Sequence, residues 1–586
     1  RDNHIMTAPS FSYQYEHVQH GTSSPSPRKK HLMVALIAAL GLAVLVGALS
    51  FLQHPSTNDS SSSKAVMASK ASYFPMPHGV NFGSWLSLED YFYVGPTGAV
   101  QVATPDGHVS AVCLPPLHTG QGPTWQAETD LLTSLMNTTG LAHALKIFHA
   151  HRTSYVTDDD VAKLSQWGVK HVRVPLSWCF TDSEYEDILL DQDTPEYTQY
   201  LLEHYTCQDP FYKDEGVLWP AIPRSVLTNF LRNCADHGIT ASLDLHTYPG
   251  ATSPGTFSGL WPRPPRFWDH DAPQDPTNDL GRLLYKDFVA WVERLAEDDP
   301  KAFEGILGIS PMNEPAHLAG VFRDSERDYL PPLSHEMAQD YLDQLGNPPD
   351  VLDGPHLRVL WWLQDAMDVF RKSTLPALGK QLHVNVHESA LSPQVSGDDD
   401  HDLGGRHPTA TNLIAAWWSA VTDQNERASW AVLDMHHYHA WEPACQGASD
   451  GPPTANYTCT DAAARADALE RCTSWATDTF RGLVNQHCEP SAQLMSGEFS
   501  TSTHHSVRHA CSDLGTLKTS YLTQLDAAHK ADLKLYYWSY KMPQGGASKN
   551  AWSFSHLMYL LGVNPHPDES NYNCGGHLPH QGEVTD

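Results

Sequence analysis

Eight short runs of mostly apolar, often β-branched residues recur along the chain, separated by longer helix-like stretches. Such runs are typical of strands that are buried on both faces of a parallel sheet. Their regular alternation with helical stretches predicts an α/β architecture. The runs are residues 78–83, 170–175, 240–246, 305–313, 381–387, 431–438, 492–499 and 533–538.

Most of these runs end in polar or aromatic residues, which a random set of buried strands would not do so regularly. The strand-end residues are Arg173, His246, Asn313 with Glu314, His436 with Tyr438, Glu498 and Trp538. Active sites of (β/α)8 barrels form at the C-terminal ends of the strands. We therefore predict a (β/α)8 TIM barrel, with long strand-to-helix loop insertions at 95–124, 249–277 and 320–356. Any one of these residues, taken singly, is also consistent with a satisfied polar group at a loop edge.

Two glutamates stand out among the strand ends. Glu314 follows the fourth run within Met-Asn-Glu-Pro, and Glu498 ends the seventh within Gly-Glu-Phe-Ser. Strands four and seven face each other across an eight-stranded barrel, so both carboxyl groups can reach one cleft. Glycosidic bond cleavage needs such a pair, about 5–5.5 Å apart in retaining enzymes. The sequence therefore predicts a glycoside hydrolase.

The motifs and their order resemble one known family. Segments 79–89 (GVNFGSWLSLE), 151–164, 169–180, 244–250, 434–438 (DMHHY) and 537–554 resemble motifs of the fungal-type exo-β-1,3-glucanases of glycoside hydrolase family five. The resemblance extends over residues 73–562. It implies Glu314 as the acid/base and Glu498 as the nucleophile.

The resemblance also implies roles for the catalytic neighbours. Arg173 would hold Glu498 ionised, and Tyr438 would hydrogen-bond the same carboxylate. Asn313 would bind the sugar 2-hydroxyl. His246 and His436 would contact sugar hydroxyls or the carboxylates, although both could instead be core histidines.

Two further residues are expected to line the sugar subsites. The resemblance implies Trp538 as the floor beneath the cleaved sugar and Glu89 as a ligand of the terminal glucose, although Glu89 could instead cap a helix or form a salt bridge. Departures from the family pattern at Ser84, Asp90 and Thr247-Tyr248 fall near the substrate loops. They leave the linkage, and exo against endo action, open.

Charge and cysteine content limit the partners. The formal net charge is -31, which argues against a nucleic-acid partner because phosphate binding needs clustered Lys and Arg.

All ten cysteines lie beyond residue 52, and an even number on an exported domain indicates disulfides whose pairing stays open. The cysteine spacing is not that of a zinc site, and we predict neither a metal nor a cofactor. Asn58, Asn137 and Asn456 lie in glycosylation sequons.

The N-terminal region predicts a membrane anchor. Arg28, Lys29 and Lys30 precede residues 32–52, which lack charged side chains and are long enough to span a bilayer. We predict a disordered cytoplasmic tail (1–31), a transmembrane signal anchor (32–52), a flexible Ser-rich stalk (53–72) and a hydrolase domain (73–586). This order describes a single-pass type II membrane protein whose catalytic domain is extracellular or in the secretory lumen. A cleaved signal peptide with a long basic region is the alternative.

The leading functional hypothesis is retaining hydrolysis of β-1,3-glucan, in the exo sense, with release of glucose during cell-wall glucan metabolism. Two enzymatic alternatives keep the same site: transglycosylation onto glucan, and hydrolysis of a glucosylated lipid. A catalytically silent wall-binding protein is the alternative from another class.

Overall fold

A computed structural model describes most of the region after residue 73 and supplies the fold. The described residues are 74–93, 125–192, 194–253, 255–267, 280–315, 354–386, 408–449, 451, 455–504, 510–542 and 549–565, with backbone alone for 354–358, 408–413 and 443. The predicted tail, anchor and stalk lie outside them, as do insertion 95–124, most of 320–356 and part of 249–277. Within the described residues, no helix combines the length and apolar character needed to cross a membrane.

Eight parallel strands close into a barrel in chain order, which confirms the predicted TIM barrel. Each strand falls within one of the eight predicted runs, or overruns it by a single residue. The strands are β1 (Gly79–Asn81), β2 (His171–Leu176), β3 (Thr240–Leu245), β4 (Ile306–Ser310), β5 (Gln381–Asn385), β6 (Ala431–Asp434), β7 (Gln493–Phe499) and β8 (Leu533–Tyr537).

Helices fill the intervals between the strands, as the alternating pattern predicts. They are α1 (Glu128–Thr139), α2 (Leu141–Ser154), α3 (Asp158–Trp167), α4 (Pro195–Tyr205), α5 (Arg224–Asp236), α6 (Leu280–Asp298), α7 (Pro300–Glu304), α8 (Gly354–Lys372), α9 (Pro408–Val421), α10 (Gln424–Ser429), α11 (Ala462–Ser474), α12 (Gly482–His487), α13 (Leu514–Lys530), α14 (Lys549–Trp552) and α15 (Phe554–Leu560). A π-helical turn, Trp475–Arg481, joins α11 to α12.

Local sequence explains how the chain enters β2. Thr157 caps α3 in a capping box with Asp160, so both residues satisfy backbone donors of the first turn. The helix ends at Gly168, whose φ of 95° is in the left-handed region that favours glycine. The chain then turns directly into β2, which carries Arg173.

Side chains along each strand alternate between the helix layer and the barrel interior. In β2, the fully buried Val172 and Val174 belong to the main hydrophobic core, whereas Arg173 points to the interior. Val432, Met495 and Tyr536 form a separate interior cluster on β6, β7 and β8. They precede the polar strand ends in each strand, so apolar packing supports the charged groups from below.

Three disulfides are present among the described residues: Cys179–Cys207, Cys445–Cys472 and Cys459–Cys511. They tie the chain just after β2 and the loops that follow β6 and β7, on the side of the barrel where the strands end. Cys234 and Cys488 are buried and carry free thiols. The prediction of disulfides is confirmed for the bonded six, and Cys113 and Cys574 lie outside the described residues.

Candidate active site

The nine residues predicted from the sequence come together at the C-terminal end of the barrel. Glu314 follows β4 and Glu498 lies near the end of β7. One carboxylate oxygen of Glu314, one of Glu498 and a ring nitrogen of His436 all lie within 4.8 Å of one another. Arg173 and Tyr438 contact Glu498 directly, and Asn313 contacts Arg173. His246, Trp538 and Glu89 follow in a longer chain of contacts.

The Glu498 carboxylate accepts hydrogen bonds on both oxygens. Arg173 Nη1 donates to Oε1 over 2.6 Å, and the Tyr438 hydroxyl donates to Oε2 over 2.6 Å. The side chain is only 6% exposed. Two donors on one buried carboxyl group fix its orientation, as a nucleophile requires.

Arg173 is a fully buried hub for four acceptors. Besides Glu498, its guanidinium contacts Asn81 Oδ1 at 3.0 Å, Asn313 Oδ1 at 2.7 Å and Asp244 Oδ2 at 2.9 Å. Burial alone would lower the pKa of Arg173, but the charges of Asp244 and Glu498 outweigh it and raise the pKa. The planar guanidinium thereby sets the positions of residues from β1, β3, β4 and β7 together.

Glu314 has an unusual backbone conformation. Its φ of 41° lies in the left-handed region that non-glycine residues seldom adopt. Its backbone N–H donates to Asn385 Oδ1 over 2.8 Å, so a side chain from β5 holds this strained turn. The carboxyl group is turned towards His436, whose Nδ1 lies 2.9 Å from Oε1.

His436 lies among three carboxyl groups. Its Nδ1 is 2.9 Å from Glu314 and 3.5 Å from Glu498, and its Nε2 is 3.5 Å from Asp434 Oδ2. Burial alone would lower the pKa of His436, but the charges of Glu498 and Asp434 outweigh it and raise the pKa to about 10. The ring is therefore an imidazolium at neutral pH. The ambiguous sequence prediction for His436 resolves to contact with the carboxylates.

His246 belongs to a second histidine–carboxylate pair. Its Nδ1 lies 2.8 Å from Asp244 Oδ2, and its Nε2 lies 3.4 Å from Asn313 Nδ2. Burial alone would lower the pKa of His246, but the bond to Asp244 outweighs it and raises the pKa. Burial would likewise raise the pKa of Asp244, whereas the Arg173 charge lowers it overall. His246 is thus oriented beside Asn313, the predicted ligand of the sugar 2-hydroxyl.

Glu89 and Trp538 form a further wall of the site. Trp538 Nε1 donates to the Tyr91 hydroxyl over 3.1 Å, and that hydroxyl donates to Glu89 Oε2 over 2.6 Å. The Trp538 indole lies parallel to the His246 ring, with centroids 6.1 Å apart. Burial raises the pKa of Glu89 to about 7. Its Oε1 is buried and finds no hydrogen-bond partner within the described part of the chain.

Five interior residues that contribute to the site were missed by sequence reasoning: Asn81, Tyr91, Asp244, Asn385 and Asp434. For two of them the sequence does contain an indication, in their spacing from a predicted site residue. Asp244 and Asp434 each precede a predicted histidine by two positions, and residues two apart in a strand face the same side. Asn385 carries no comparable local signal, because its partner is the backbone of the neighbouring strand end.

Gly497 explains how the nucleophile reaches its position. A Cβ at this residue would lie 2.5 Å from Asp434 Oδ2 and 3.0 Å from His436 Nε2, so only glycine fits. The Gly497 N–H donates to Asp434 Oδ1 over 2.6 Å. The pairing of β7 with β8 shifts register between Ser496 and Phe499, and this irregularity turns Glu498 towards Arg173.

The short distances among Glu314, His436 and Glu498 also suit a cation. However, two cationic side chains, Arg173 and His436, already contact these carboxyl groups, so we assign no metal to this site. The residues instead fit acid–base and nucleophilic chemistry.

Comparison with known proteins identifies relatives over part of the chain. Probable glucan 1,3-beta-glucosidase A of Aspergillus fumigatus is 24% identical over 280 residues, which is 47% of this chain and 51% of the relative. Probable glucan endo-1,6-beta-glucosidase B of the same fungus is 26% identical over 194 residues, which is 33% of this chain and 39% of the relative. The chain is a distant relative of these fungal β-glucan glucosidases.

These matches confirm the predicted resemblance to the fungal glucanases of glycoside hydrolase family five, at a distance. The chain spans about half the length, or less, of the curated relatives it matches. No family model matches the chain.

Among solved structures, the chain is similar to a rutinosidase from Aspergillus niger, with TM-score 0.44, 14% identity, and coverage of 83% of this chain and 96% of that chain. It is also similar to a broad-specificity endoglucanase from Bacteroides salanitronis, with TM-score 0.38, 14% identity, and coverage of 81% and 86%. Both likenesses are loose, and no functional conclusion rests on them.

Proposed function

We propose that this chain is a retaining β-glucosidic hydrolase that cleaves β-glucan, with Glu498 as nucleophile and Glu314 as acid/base. One observation carries the proposal: the two carboxylates have oxygens within 4.8 Å of each other. Retaining pairs are about 5–5.5 Å apart, whereas inverting pairs leave about 6.5–9.5 Å for a water molecule. The different partners of the two groups support the assignment of roles.

In the first half-reaction, Glu498 attacks the anomeric carbon while Glu314 protonates the departing oxygen. The C–O bond to the leaving group breaks, and an ester bond to Glu498 forms. Arg173 and Tyr438 hold both oxygens of Glu498, so the nucleophile is oriented before the sugar arrives. Fixed orientation of this kind lowers the entropic part of the barrier.

In the second half-reaction, Glu314 removes a proton from water as the oxygen attacks the glycosyl–enzyme. The ester bond breaks, the sugar leaves with retained configuration, and Glu314 regains its proton. Asn313 is held by Arg173 at 2.7 Å, and this fixed position supports a role for its amide in binding the 2-hydroxyl of a sugar attached to Glu498. Trp538 would form the floor, and Glu89 would receive a hydroxyl of the terminal glucose.

We propose β-1,3-glucan as the main substrate, on the strength of the sequence motifs and the glucan 1,3-beta-glucosidase relatives. β-1,6-Glucan is the second candidate, favoured by the relatives named glucan endo-1,6-beta-glucosidase. The resemblance of residues 79–89 to the opening motif of the exo-glucanases supports exo action.

A linkage panel tests the substrate. Laminarin, pustulan, cellulose and glucosylceramide are incubated with the protein, and products are followed by chromatography and proton NMR. We expect β-glucose from laminarin as the first product, with Glu498→Ala as the inactive control. Faster pustulan cleavage would move the assignment to β-1,6-glucan, and glucan elongation would indicate transglycosylation. Release of α-glucose would contradict the retaining mechanism.

We further propose that residues 32–52 anchor the barrel to a membrane, with the catalytic domain outside the cytoplasm. The support is the uncharged run behind Arg28, Lys29 and Lys30 and the disulfides of the barrel, which form in oxidising compartments.

Protease protection tests this topology. Protease added to intact cells is expected to release the barrel and to leave an N-terminal tag protected, because the basic residues keep that end in the cytoplasm. Detergent lysis, which exposes both ends, is the control. Protection of the barrel, or a mature N-terminus mapped near residue 50, would contradict the anchor.

A further inference from the structure

Asp434 is a fully buried carboxylate at the end of β6 that the mechanism above does not use. Its Oδ1 accepts the Gly497 N–H over 2.6 Å, and its Oδ2 lies 3.5 Å from His436 Nε2. Oδ2 has no hydrogen-bond partner of good geometry among the residues that the structure describes. Asp434 therefore faces the far nitrogen of the ring whose near nitrogen faces Glu314.

The charged groups around His436 come from three directions. Asp434 lies on its own strand, Glu498 comes from β7, and Glu314 follows β4. Glu498 is already compensated by Arg173 at 2.6 Å. Asp434 makes no comparable contact with a cation other than His436 in the described part of the chain, so its charge acts most directly on this ring.

We propose that Asp434 is a positioning residue that holds His436 as an imidazolium, and that this imidazolium stabilises the negative charge that forms on Glu314 during proton donation. The inference rests on the proposed function of Glu314. As Glu314 gives its proton to the departing oxygen, the carboxyl group becomes a carboxylate 2.9 Å from His436 Nδ1. A cation at that distance in a buried site stabilises the product of the transfer and the transition state that leads to it.

The proton balance is simple. The proton on Glu314 moves to the glycosidic oxygen, the sugar is attached to Glu498, and His436 keeps both of its protons throughout. In the second half-reaction water returns a proton to Glu314. His436 therefore supplies charge, and Asp434 keeps that charge in place.

Asp434→Asn tests the proposal with a change of one atom. The Gly497 N–H still needs an acceptor, so the amide oxygen should remain there and the amide nitrogen should face His436. An N–H donor facing Nε2 forces that nitrogen to accept, which makes the ring neutral. The variant thus removes the charge on His436 while retaining the shape of the site.

The readout is a series of aryl β-glucosides with leaving groups of increasing pKa. We expect kcat/KM for poor leaving groups to fall about 10- to 100-fold, part of the ~10²–10⁴-fold that general acid catalysis supplies. The leaving group of a dinitrophenyl β-glucoside needs no protonation, so kcat/KM for this substrate should change less than about threefold. The alkaline limb of the pH profile should move to higher pH, because Glu314 without a neighbouring cation keeps its proton longer.

Asp532→Asn is the matched control, because it makes the same chemical change on a side chain that is 96% exposed, at the opposite end of the barrel. This control variant should have the wild-type kcat/KM on every substrate of the series. His436→Gln provides a second measurement, because it should show the same dependence of kcat/KM on the leaving group. Introducing Asp434→Asn into the His436→Gln protein should cause no further loss. The single variant His436→Gln also tests the charge on His436 if Asp434→Asn does not fold.

Two outcomes would overturn the proposal: an equal loss on all leaving groups with an unmoved alkaline limb, or full activity of Asp434→Asn. Additive effects of the two substitutions would also contradict it, because Asp434 would then act independently of His436. Failure of the wild-type protein to cleave any aryl β-glucoside is a different result, since it would refute the proposed function itself.

Discussion

Glu498→Ala is expected to reduce turnover of β-glucan by roughly 10⁴-fold or more, because no covalent intermediate can form without the nucleophile. The loss should be equally severe on activated aryl glucosides, since leaving-group activation does not replace the attacking carboxylate. The fold should survive, because Arg173 keeps Asp244, Asn81 and Asn313 as partners. Steady-state kinetics and thermal melting measure the two effects separately.

Glu314→Ala is the companion variant and should fail differently. Turnover of glucan should fall about 10²–10⁴-fold, the usual contribution of general acid–base catalysis. An activated aryl glucoside should still form the glycosyl–enzyme, which then accumulates because water has lost its base. A burst of released phenol would report this accumulation.

Azide separates the two roles by stereochemistry. In Glu314→Ala, azide needs no deprotonation and should attack the glycosyl–enzyme to give the β-glycosyl azide. In Glu498→Ala, azide can occupy the vacated space and should give the α-glycosyl azide. Proton NMR of the products distinguishes them. The opposite pattern would mean that the roles are reversed, and full activity of both variants on glucan would place the active site elsewhere.

The barrel could be predicted from the sequence because parallel barrel strands are buried on both faces and therefore read as continuous apolar runs. The runs that became β2 and β3 coincide with the predicted segments to within one residue. The site could be located because the chemistry of such barrels occurs where the strands end. Both inferences depend on local pattern alone.

The contacts within the site could not be predicted in this way. Arg173 meets Asn81, Asp244 and Asn313 because β1, β3 and β4 have a particular stagger, and residues far apart in sequence determine that stagger. The support of Glu314 by Asn385 likewise depends on a strained backbone that no local motif specifies. Cysteine pairing also stayed open, because loop positions decide which thiols meet.

Arg173→Met is expected to lower both activity and stability by a large amount. Its removal would leave Glu498 and Asp244 buried without the cation that lies 2.6 Å and 2.9 Å from them. Breaking a buried ion pair by removing one partner costs about 3–5 kcal/mol of unfolding free energy. Arg173→Lys should recover only part of the loss, because an ammonium group cannot contact four acceptors from one plane. Urea unfolding provides the free energies.

The pH dependence of this loss distinguishes charge from packing. The pKa of Asp244 is lowered in the folded protein because the Arg173 charge outweighs burial. A carboxyl group of this kind contributes stability above its unfolded pKa of about 3.9, and that stability is lost as the pH falls. Without Arg173, burial keeps the pKa of Asp244 higher in the folded variant, so the difference in unfolding free energy between wild type and Arg173→Met should be largest near neutral pH and shrink as the pH falls and these carboxyl groups become protonated.

Arg224→Met is the matched control, because Arg224 pairs at 2.8 Å with an Asp182 side chain that is 86% exposed. Surface pairs of this kind are worth about 0–1 kcal/mol, so this variant should differ little from wild type. A loss for Arg173→Met that is equal at all pH values would indicate packing of its long side chain rather than charge. A loss no larger than that of Arg224→Met would contradict the role of Arg173 as the cation that holds Glu498 and Asp244 together.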